Sequence, residues 1–352
     1  MLSRTLASST GARDAAPMDT SAGWRVHAPG RLHLGFLDPA GSLGRRFGSL
    51  GLVIDELETV VDLRLAQRDE ASAGADEGRA QLHTALQHLA ALRRASGRHA
   101  PLRLHLRRLL PAHAGLGSGT QLALALGHAF CRLHNLRYSS AELAHISGRG
   151  HRSGIGIAGF DQGGLLLDGG PGANGATAPL LSRLTLPPQW RVMLLLDPRM
   201  QGLSGDAEKR ALAELPPLPR EAAAEICHQV LMRVLPGAAH GDFEAFAAGV
   251  TRMQAILGAH FAPAQRGQAF ASAAVARAVG ALGGDAASGQ SSWGPTGFAV
   301  FASSSAAGAA LAAAHRSEAV DPALRVCIVR ARDHGAAFVA LPQPTQDPVH
   351  MN

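Results

Sequence analysis

Apolar and polar positions begin to alternate at Trp24. Trp24 to Ala28 reads as a short strand, Pro29-Gly30 interrupts it, and Leu32 to Phe36 reads as a second run. Val61 to Leu65 alternates as a half-buried strand does. Leu82, Leu86, Leu89 and Leu92 fall on one face of a helix over 81–95. Leu102, Leu104 and Leu106 alternate with Arg103, His105 and Arg107, a further strand. A helix is expected over 118–134 and another from Ser139, with Ser139 or Ser140 as its cap and Glu142 in its first turn. Residues 147–175 are dense in glycine around Ile155 and Leu165 to Leu167, and Val192 to Leu196 is a short buried strand. Helical patterns follow near 205–214, 220–235, 241–259 and 266–282. Strands near 297–302 and 325–330 flank an alanine-rich helix. This order lacks the strict strand–helix alternation of a parallel sheet and implies an α+β fold with a mainly antiparallel sheet. Pro187-Pro188 is the expected boundary between units 23–186 and 187–340. Residues 1–22 and 341–352 are read as tails.

Composition changes this picture in one respect. Of 33 basic residues among 352, the only lysine is Lys209. A Walker loop needs Gly-Lys-Ser/Thr and a protein kinase needs its strand lysine, so both are excluded, and Lys209 is the sole position for a Schiff base. A phosphate site here must use backbone N–H groups, helix N-termini and arginines. The net charge of +6 raises nucleic acid as a partner, but aromatic residues are 4% of the chain and there is one tyrosine, too few for stacking platforms. Small anionic ligands are the expected partners instead. The three cysteines share no metal-ligand or CxxC spacing, and no apolar run is long enough to span a membrane. The expected setting is a reducing, cytoplasmic one.

The strongest local signal is Pro111-Ala112-His113-Ala114-Gly115-Leu116-Gly117-Ser118-Gly119-Thr120-Gln121, which runs into an apolar helix. Glycines permit tight turns and close approach to a ligand, and a helix start presents unpaired N–H groups to an anion. A glycine-rich cap with no ligand would look the same in isolation. Two other segments set it in context.

Pro-x-x-x-Gly-Leu-Gly-Ser-Gly resembles the second motif of the GHMP superfamily of galactokinase, homoserine kinase and mevalonate kinase. Pro29-Gly30-Arg31-Leu32-His33-Leu34-Gly35-Phe36-Leu37-Asp38 resembles its first motif, and Gly289-Gln290-Ser291-Ser292-Trp293-Gly294-Pro295-Thr296-Gly297 its third. Within it, Gly148-Arg149-Gly150-His151-Arg152-Ser153-Gly154-Ile155-Gly156, Gly159-Phe160-Asp161-Gln162-Gly163-Gly164 and Gly202-Leu203-Ser204-Gly205-Asp206-Ala207-Glu208 resemble the β-ribofuranosylaminobenzene 5′-phosphate synthase family, and the kinases lack the first of these blocks. The resemblance implies a two-domain GHMP-kinase-like α+β fold, with a mixed or antiparallel N-terminal sheet and a C-terminal α/β sandwich. It implies a pentosyltransferase of methanopterin biosynthesis that joins 5-phosphoribosyl pyrophosphate to 4-aminobenzoate or 4-hydroxybenzoate, releasing pyrophosphate and carbon dioxide. Mg²⁺ as cofactor and a homodimer are also implied.

The roles that follow are expectations. Gly115, Leu116, Gly117, Ser118, Gly119, Thr120 and Gln121 hold the pyrophosphate, with Ser118 beside the metal. Arg31 and Asp38 lie near the sugar, and Arg149 and Arg152 face one anion. Asp161 ligates Mg²⁺ or ribose. Ser153, Gln162, Ser204 and Glu208 contact substrate, and Gln290, Ser291 and Ser292 close the site from the second unit. Bland alternatives exist: a surface ion pair for either Arg149 or Arg152, a turn cap for Asp38, a turn for Asp168, and a solvated helix face for Lys209. Arg45-Arg46 is either a lid or an exposed loop. Arg152→Ala is expected to leave folding intact. The competing functions are an ATP-dependent small-molecule kinase and a nucleic-acid-binding or regulatory protein.

Overall fold

A computed structural model describes residues 23–342 apart from 75, 173–174 and 204. Both expected tails lie outside it except for residues 341 and 342. Strand β1 (Gly23–Asp38) runs antiparallel to β2 (Phe47–Leu65). The two short strands expected on either side of Pro29-Gly30 are therefore one. Proline removes a ladder donor there, and the chain absorbs it as a register shift between Pro29 and Arg31, with a second shift between His33 and Gly35. The bulged stretch turns Arg31 and His33 toward the site described below.

Beyond β2 come β3 (Glu70–Ala73), helix α1 (Asp76–Ser96), β4 (Leu102–Arg108), α2 (Ser118–Leu133) and α3 (Ser140–Ile146). Ser139 caps α3 in a capping box with Glu142. The glycine-dense stretch holds α4 (Ile155–Gln162) and β5 (Leu165–Asp168). Glycine is a poor helix former, so α4 is not evident from propensity. Packing overrides it: a Cβ on Gly156 would lie 3.1 Å from Thr120 of α2, and one on Gly159 would lie 2.9 Å from Val53 of β2. Glycine lets α4 lie against both.

After β6 (Leu180–Leu184), Pro187 and Pro188 carry the chain to β7 (Arg191–Leu196) in a second sheet. Helices α5 (Gly205–Glu214) and α6 (Arg220–Gln229), a π-helical turn Val230–Val234, α7 (Leu235–His240) and α8 (Phe243–Phe261) follow. Helix α9 is Ala273–Ala281, shorter than the expected 266–282, because Arg266 and Gly267 are left-handed and Ser272 caps the helix. Strands β8 (Ala287–Gln290) and β9 (Thr296–Phe301), helix α10 (Ser304–Arg316), β10 (Arg325–Val329) and β11 (Ala337–Leu341) complete the order.

The first sheet has the order β11-β1-β2-β4-β3, with β5 on β2 and β6 on β5. The second has the order β10-β7-β9-β8 and is antiparallel throughout. Strand β11 departs from the expected division, because it returns to pair with β1 in the first sheet, where Phe338 opposes Val26. The expected boundary between residues 340 and 341 falls inside that strand. Helices α1 to α4 cover one face of the first sheet. Its other face shares a core with the second sheet and α8, through Leu32, Leu34, Leu50, Leu194, Val250 and Phe298. Helices α9 and α10 cover the far face of the second sheet. The first and third motifs meet across the shared core. No helix among the described residues is long and apolar enough to cross a membrane.

A candidate anion site at the start of the central helix

The loop before α2 turns on Gly115 (φ 85°) and Gly117 (φ 79°), in the left-handed region that side chains disfavour. Thr120 and Gln121 N–H both close back on the Gly117 carbonyl at 3.0 Å. The N–H groups of Ser118 and Gly119, at N1 and N2 of the helix, have no carbonyl behind them to bond. The other motifs grip this loop. Arg31 N–H donates to the Leu116 carbonyl (3.1 Å), and its Nη1 donates to the Gly115 carbonyl (2.9 Å). The Ser291 hydroxyl donates to the same carbonyl (2.8 Å) and accepts from His33 N–H (3.0 Å), while Ser292 N–H donates to the His33 carbonyl (3.2 Å). Gly202 N–H donates to the His113 carbonyl at 2.9 Å. Four distant stretches of chain thus converge on one helix start.

Around that start stand Arg31, Arg149 and Arg152. A Cβ on Gly117 would lie 3.2 Å from the Arg31 guanidinium, and one on Gly119 would lie 3.0 Å from Arg149 Nη2. Both glycines are open ground on which a cation rests. Arg152 Nη2 donates to Glu208 Oε2 of α5 at 2.6 Å. Each of the three has a guanidinium atom buried without a partner: Arg31 Nε, Arg149 Nε and Arg152 Nη1. The Arg149 side chain has no ion pair or hydrogen bond among the described residues. Burial holds the Arg31 pKa down, to about 10, against the pull of Glu208, and it lowers that of Arg149 too. Two desolvated cations, Arg31 and Arg149, beside the Arg152–Glu208 pair at a positive helix end, form a candidate site for an anion.

The remaining expected residues divide. Gln121 Nε2 donates to the Gly156 carbonyl (2.9 Å) and ties α2 to α4. Leu116 is buried in the core. Ser291 joins all three motifs, as described above. Gln290 is absorbed by structure: its amide accepts from Ala271 N–H and donates to Gln265 and the Ser292 carbonyl. Asp38 caps a turn, both oxygens being taken by Gly41 and Ser42. Gln162 is exposed at the end of α4, where Arg183 holds its carbonyl. Arg45 donates to the Gly170 carbonyl from a mostly exposed loop. Ser204 and the side chain of Lys209 lie outside the described residues.

Asp161 is not at the helix start. It accepts from Ser140 at 2.5 Å, and Ser140 bonds His128 at 2.7 Å. His128 is ten residues down α2 from Ser118, roughly 15 Å along the axis. Ser118 and Asp161 therefore cannot share an ion. No three His, Cys, Asp or Glu side chains converge anywhere among the described residues. The donor set among the described residues does not fit a Mg²⁺ held by the protein.

Sequence reasoning missed two positions. His33 lies within the first motif, but alternation with Leu32 and Leu34 assigns it no task. Asp168 is read as a turn, yet it is fully buried and organises the arginine block. It accepts from Gly154 N–H (2.8 Å), Ser153 Oγ (3.1 Å) and Gly170 N–H (2.9 Å). Burial still raises its pKa. Ser153 thus serves the block by fixing its end rather than by facing the arginines. Asp168→Ala leaves these donors without their acceptor and is expected to cost about 2–4 kcal/mol of stability, read as a fall in the denaturation midpoint at unchanged m-value. A midpoint equal to wild type would remove Asp168 from this role.

Comparison with known proteins bears directly on this geometry. The family profile described as GHMP kinases N terminal domain matches residues 83–169, which run from α1 to β5. A β-ribofuranosylphenol 5′-phosphate synthase of Methanothermobacter thermautotrophicus is 32% identical over 246 residues, 65% of this chain and 74% of the relative. Its namesake in Archaeoglobus fulgidus is 33% identical over 244 residues, 66% and 75% of the two chains. The chain belongs to the β-ribofuranosylphenol 5′-phosphate synthase family. Solved structures of the same fold include a homoserine kinase from Cytophaga hutchinsonii, with a TM-score of 0.61 and 18% identity over 93% of this chain and all of that one. Mevalonate diphosphate decarboxylase from Staphylococcus aureus gives a TM-score of 0.61 and 11% identity over 91% and 99%. The synthase family thus shares the GHMP-kinase fold, and in this member the fold brings the arginine block to the glycine-rich loop.

Proposed function

We propose that the chain transfers the phosphoribosyl group of 5-phosphoribosyl pyrophosphate to the carboxyl-bearing ring carbon of a para-substituted benzoate. The supporting observation is the trio Arg31, Arg149 and Arg152 at the start of α2, with a buried unpartnered guanidinium atom on each. The donor carries a phosphate and a diphosphate, and the acceptor carries a carboxylate. The names of the synthase relatives point to the same product class, with a phenol on the sugar.

The electron flow needs no side-chain nucleophile. The para hydroxyl or amino group pushes electron density to the ring carbon opposite it. That carbon attacks the sugar C1 as the C1–O bond to diphosphate breaks. The carbon–carboxylate bond then breaks, its electrons restore aromaticity, and carbon dioxide leaves. The protein's work is alignment and stabilisation of charge. Arg149 and the first turn of α2 neutralise the departing diphosphate. Arg31, anchored on Gly115, faces the same leaving group. Arg152 is aimed by Glu208, leaving Nη1 for a substrate oxygen.

The competing kinase reading, carried by the name of the homoserine kinase of the same fold, is separated by one assay. Incubation with donor and 4-hydroxybenzoate or 4-aminobenzoate is expected to release pyrophosphate only when the acceptor is present, and to leave ATP untouched. ATP consumption without pyrophosphate release from the donor would sink the transferase. The comparison of the two acceptors gives the preference between hydroxyl and amine.

A further inference from the structure

A hollow of about 520 Å³, open to solvent, lies between helix α1 and strands β3 and β4. Leu86, Leu89, Ala90, Arg93 and Arg94 face it from α1 at the spacing of one helix face. In the parallel register of β3 on β4, Ala71 sits beside Leu104 on the helix side of the sheet. Glu70 sits beside Arg103 on the other side, and its carboxylate accepts from that arginine at 2.7 Å. Leu89, Leu102 and Leu104 are buried and make the floor, while Leu86 stays 45% exposed at the edge. Protein interiors are close-packed, so a hollow of this size in a helix–sheet layer has a cause. Ala71 is too small to fill it, and Arg93 holds the last turn of α1 to the loops. Its two terminal nitrogens donate to both Asp69 oxygens at 2.9 and 2.6 Å, and Nη2 also donates to the Ala100 carbonyl at 3.1 Å. This strut crosses the rim from α1 to the residue before β3.

Most charges at the rim are neutralised within the protein. Asp69 accepts from Arg93 and from Leu102 N–H, and Glu70 is held by Arg68 and Arg103. Arg94 is the exception. It is exposed, lines the hollow, and has no ion pair or hydrogen bond among the described residues. We propose that the hollow binds a small amphipathic acid, with its apolar body on the leucine floor and its carboxylate at Arg94. An apolar lining with one unmatched charge is the make-up of a small-molecule pocket, and the volume lies in the usual range. The strut across the rim favours a compact ligand over a peptide running through. The site is separate from the arginine trio. His88 falls between Leu86 and Ala90 in sequence and so points from the opposite face of α1, where it feels the charge of Arg149. The inference stands independently of phosphoribosyl transfer.

The test uses 8-anilinonaphthalene-1-sulfonate, which joins apolar rings to an anion and brightens on leaving water. The full chain is expected to bind it. Decanoate is expected to displace it about tenfold more tightly than decylammonium, which has the same chain and the opposite charge. Arg94→Gln, at an exposed position, is expected to narrow that preference to about threefold. Ala90→Leu fills the hollow and is expected to weaken probe binding by about tenfold or more. Should it fail to fold, Ala71→Leu at the sheet edge carries the same readout. Inorganic pyrophosphate as competitor, and Arg149→Ala, are expected to leave probe affinity within about twofold of wild type, because the arginine trio is a different site. Displacement by pyrophosphate would place the probe at the arginines and overturn the inference. So would absence of probe binding, equal displacement by acid and amine, or binding that neither leucine variant weakens.

Discussion

Arg149→Ala is expected to lower kcat/KM by about 10²–10³-fold while leaving the melting temperature unchanged or raised. Loss of one preorganised donor facing developing charge has an effect of this size. The stability half of the expectation comes from the side chain's isolation. Among the described residues Arg149 makes no ion pair, its Nε is buried without an acceptor, and burial already disfavours its charge. Removing it deletes no hydrogen bond or ion pair among the described residues. Arg149→Lys restores the charge without the planar fork, and an intermediate rate is expected. Donor-induced thermal stabilisation should shrink in parallel with activity in both variants. Wild-type kinetics in Arg149→Ala would remove this residue from the site.

The contrast with Arg152 is a consequence of geometry. From sequence, Arg152→Ala is expected to fold normally. The structure pairs Arg152 with Glu208, whose side chain is 16% exposed, so the substitution strands a largely buried carboxylate and destabilises as well as inactivates. Stability measurements on the two alanine variants therefore move apart although both lose activity.

Gly115→Ala is expected to have the larger effect on the fold. Its φ of 85° costs an L-residue about 1–2 kcal/mol, and the new Cβ would lie 2.3 Å from the Ser291 carbonyl oxygen, where nothing but backbone can yield. Moving Ser291 away breaks its bond to the Gly115 carbonyl and disturbs that of Arg31. The sum is of the order of 3 kcal/mol. Misalignment of the two halves of the site should lower turnover by about a hundredfold or more. Chemical denaturation and steady-state kinetics check both parts, and a variant with wild-type stability would deny the junction between the second and third motifs.

Much of the fold was legible because its elements carry strong periodicity. Helix α2 begins where the glycine run ends, and β4 shows its alternation openly. Helix α4 was hidden because its stability comes from glycine contacts with α2 and β2, which no local pattern reports. Strand β11 was hidden because its partner, β1, lies about 300 residues away in sequence. The convergence of side chains on the candidate site was legible where residue type and motif coincide, as at Arg31, Arg149 and Arg152. It was open between two readings at Asp38, which caps a turn, and was not legible at Asp161, which bonds Ser140 far from the helix start. Glu208, which the motif alone marks as a substrate contact, pairs with Arg152 in the structure. The burial of His33 and the hydrogen-bond partners of Asp168 are set by distant parts of the chain, which sequence alone does not show.

The most direct measurement uses a benzoate acceptor labelled at its carboxyl carbon. Incubated with 5-phosphoribosyl pyrophosphate, the protein should release labelled carbon dioxide and pyrophosphate in equal amounts. The product should hold the sugar C1 bonded to the ring carbon that bore the carboxylate. Retention of the label in a product, or pyrophosphate release with no carbon dioxide, would contradict decarboxylating transfer at the arginine site.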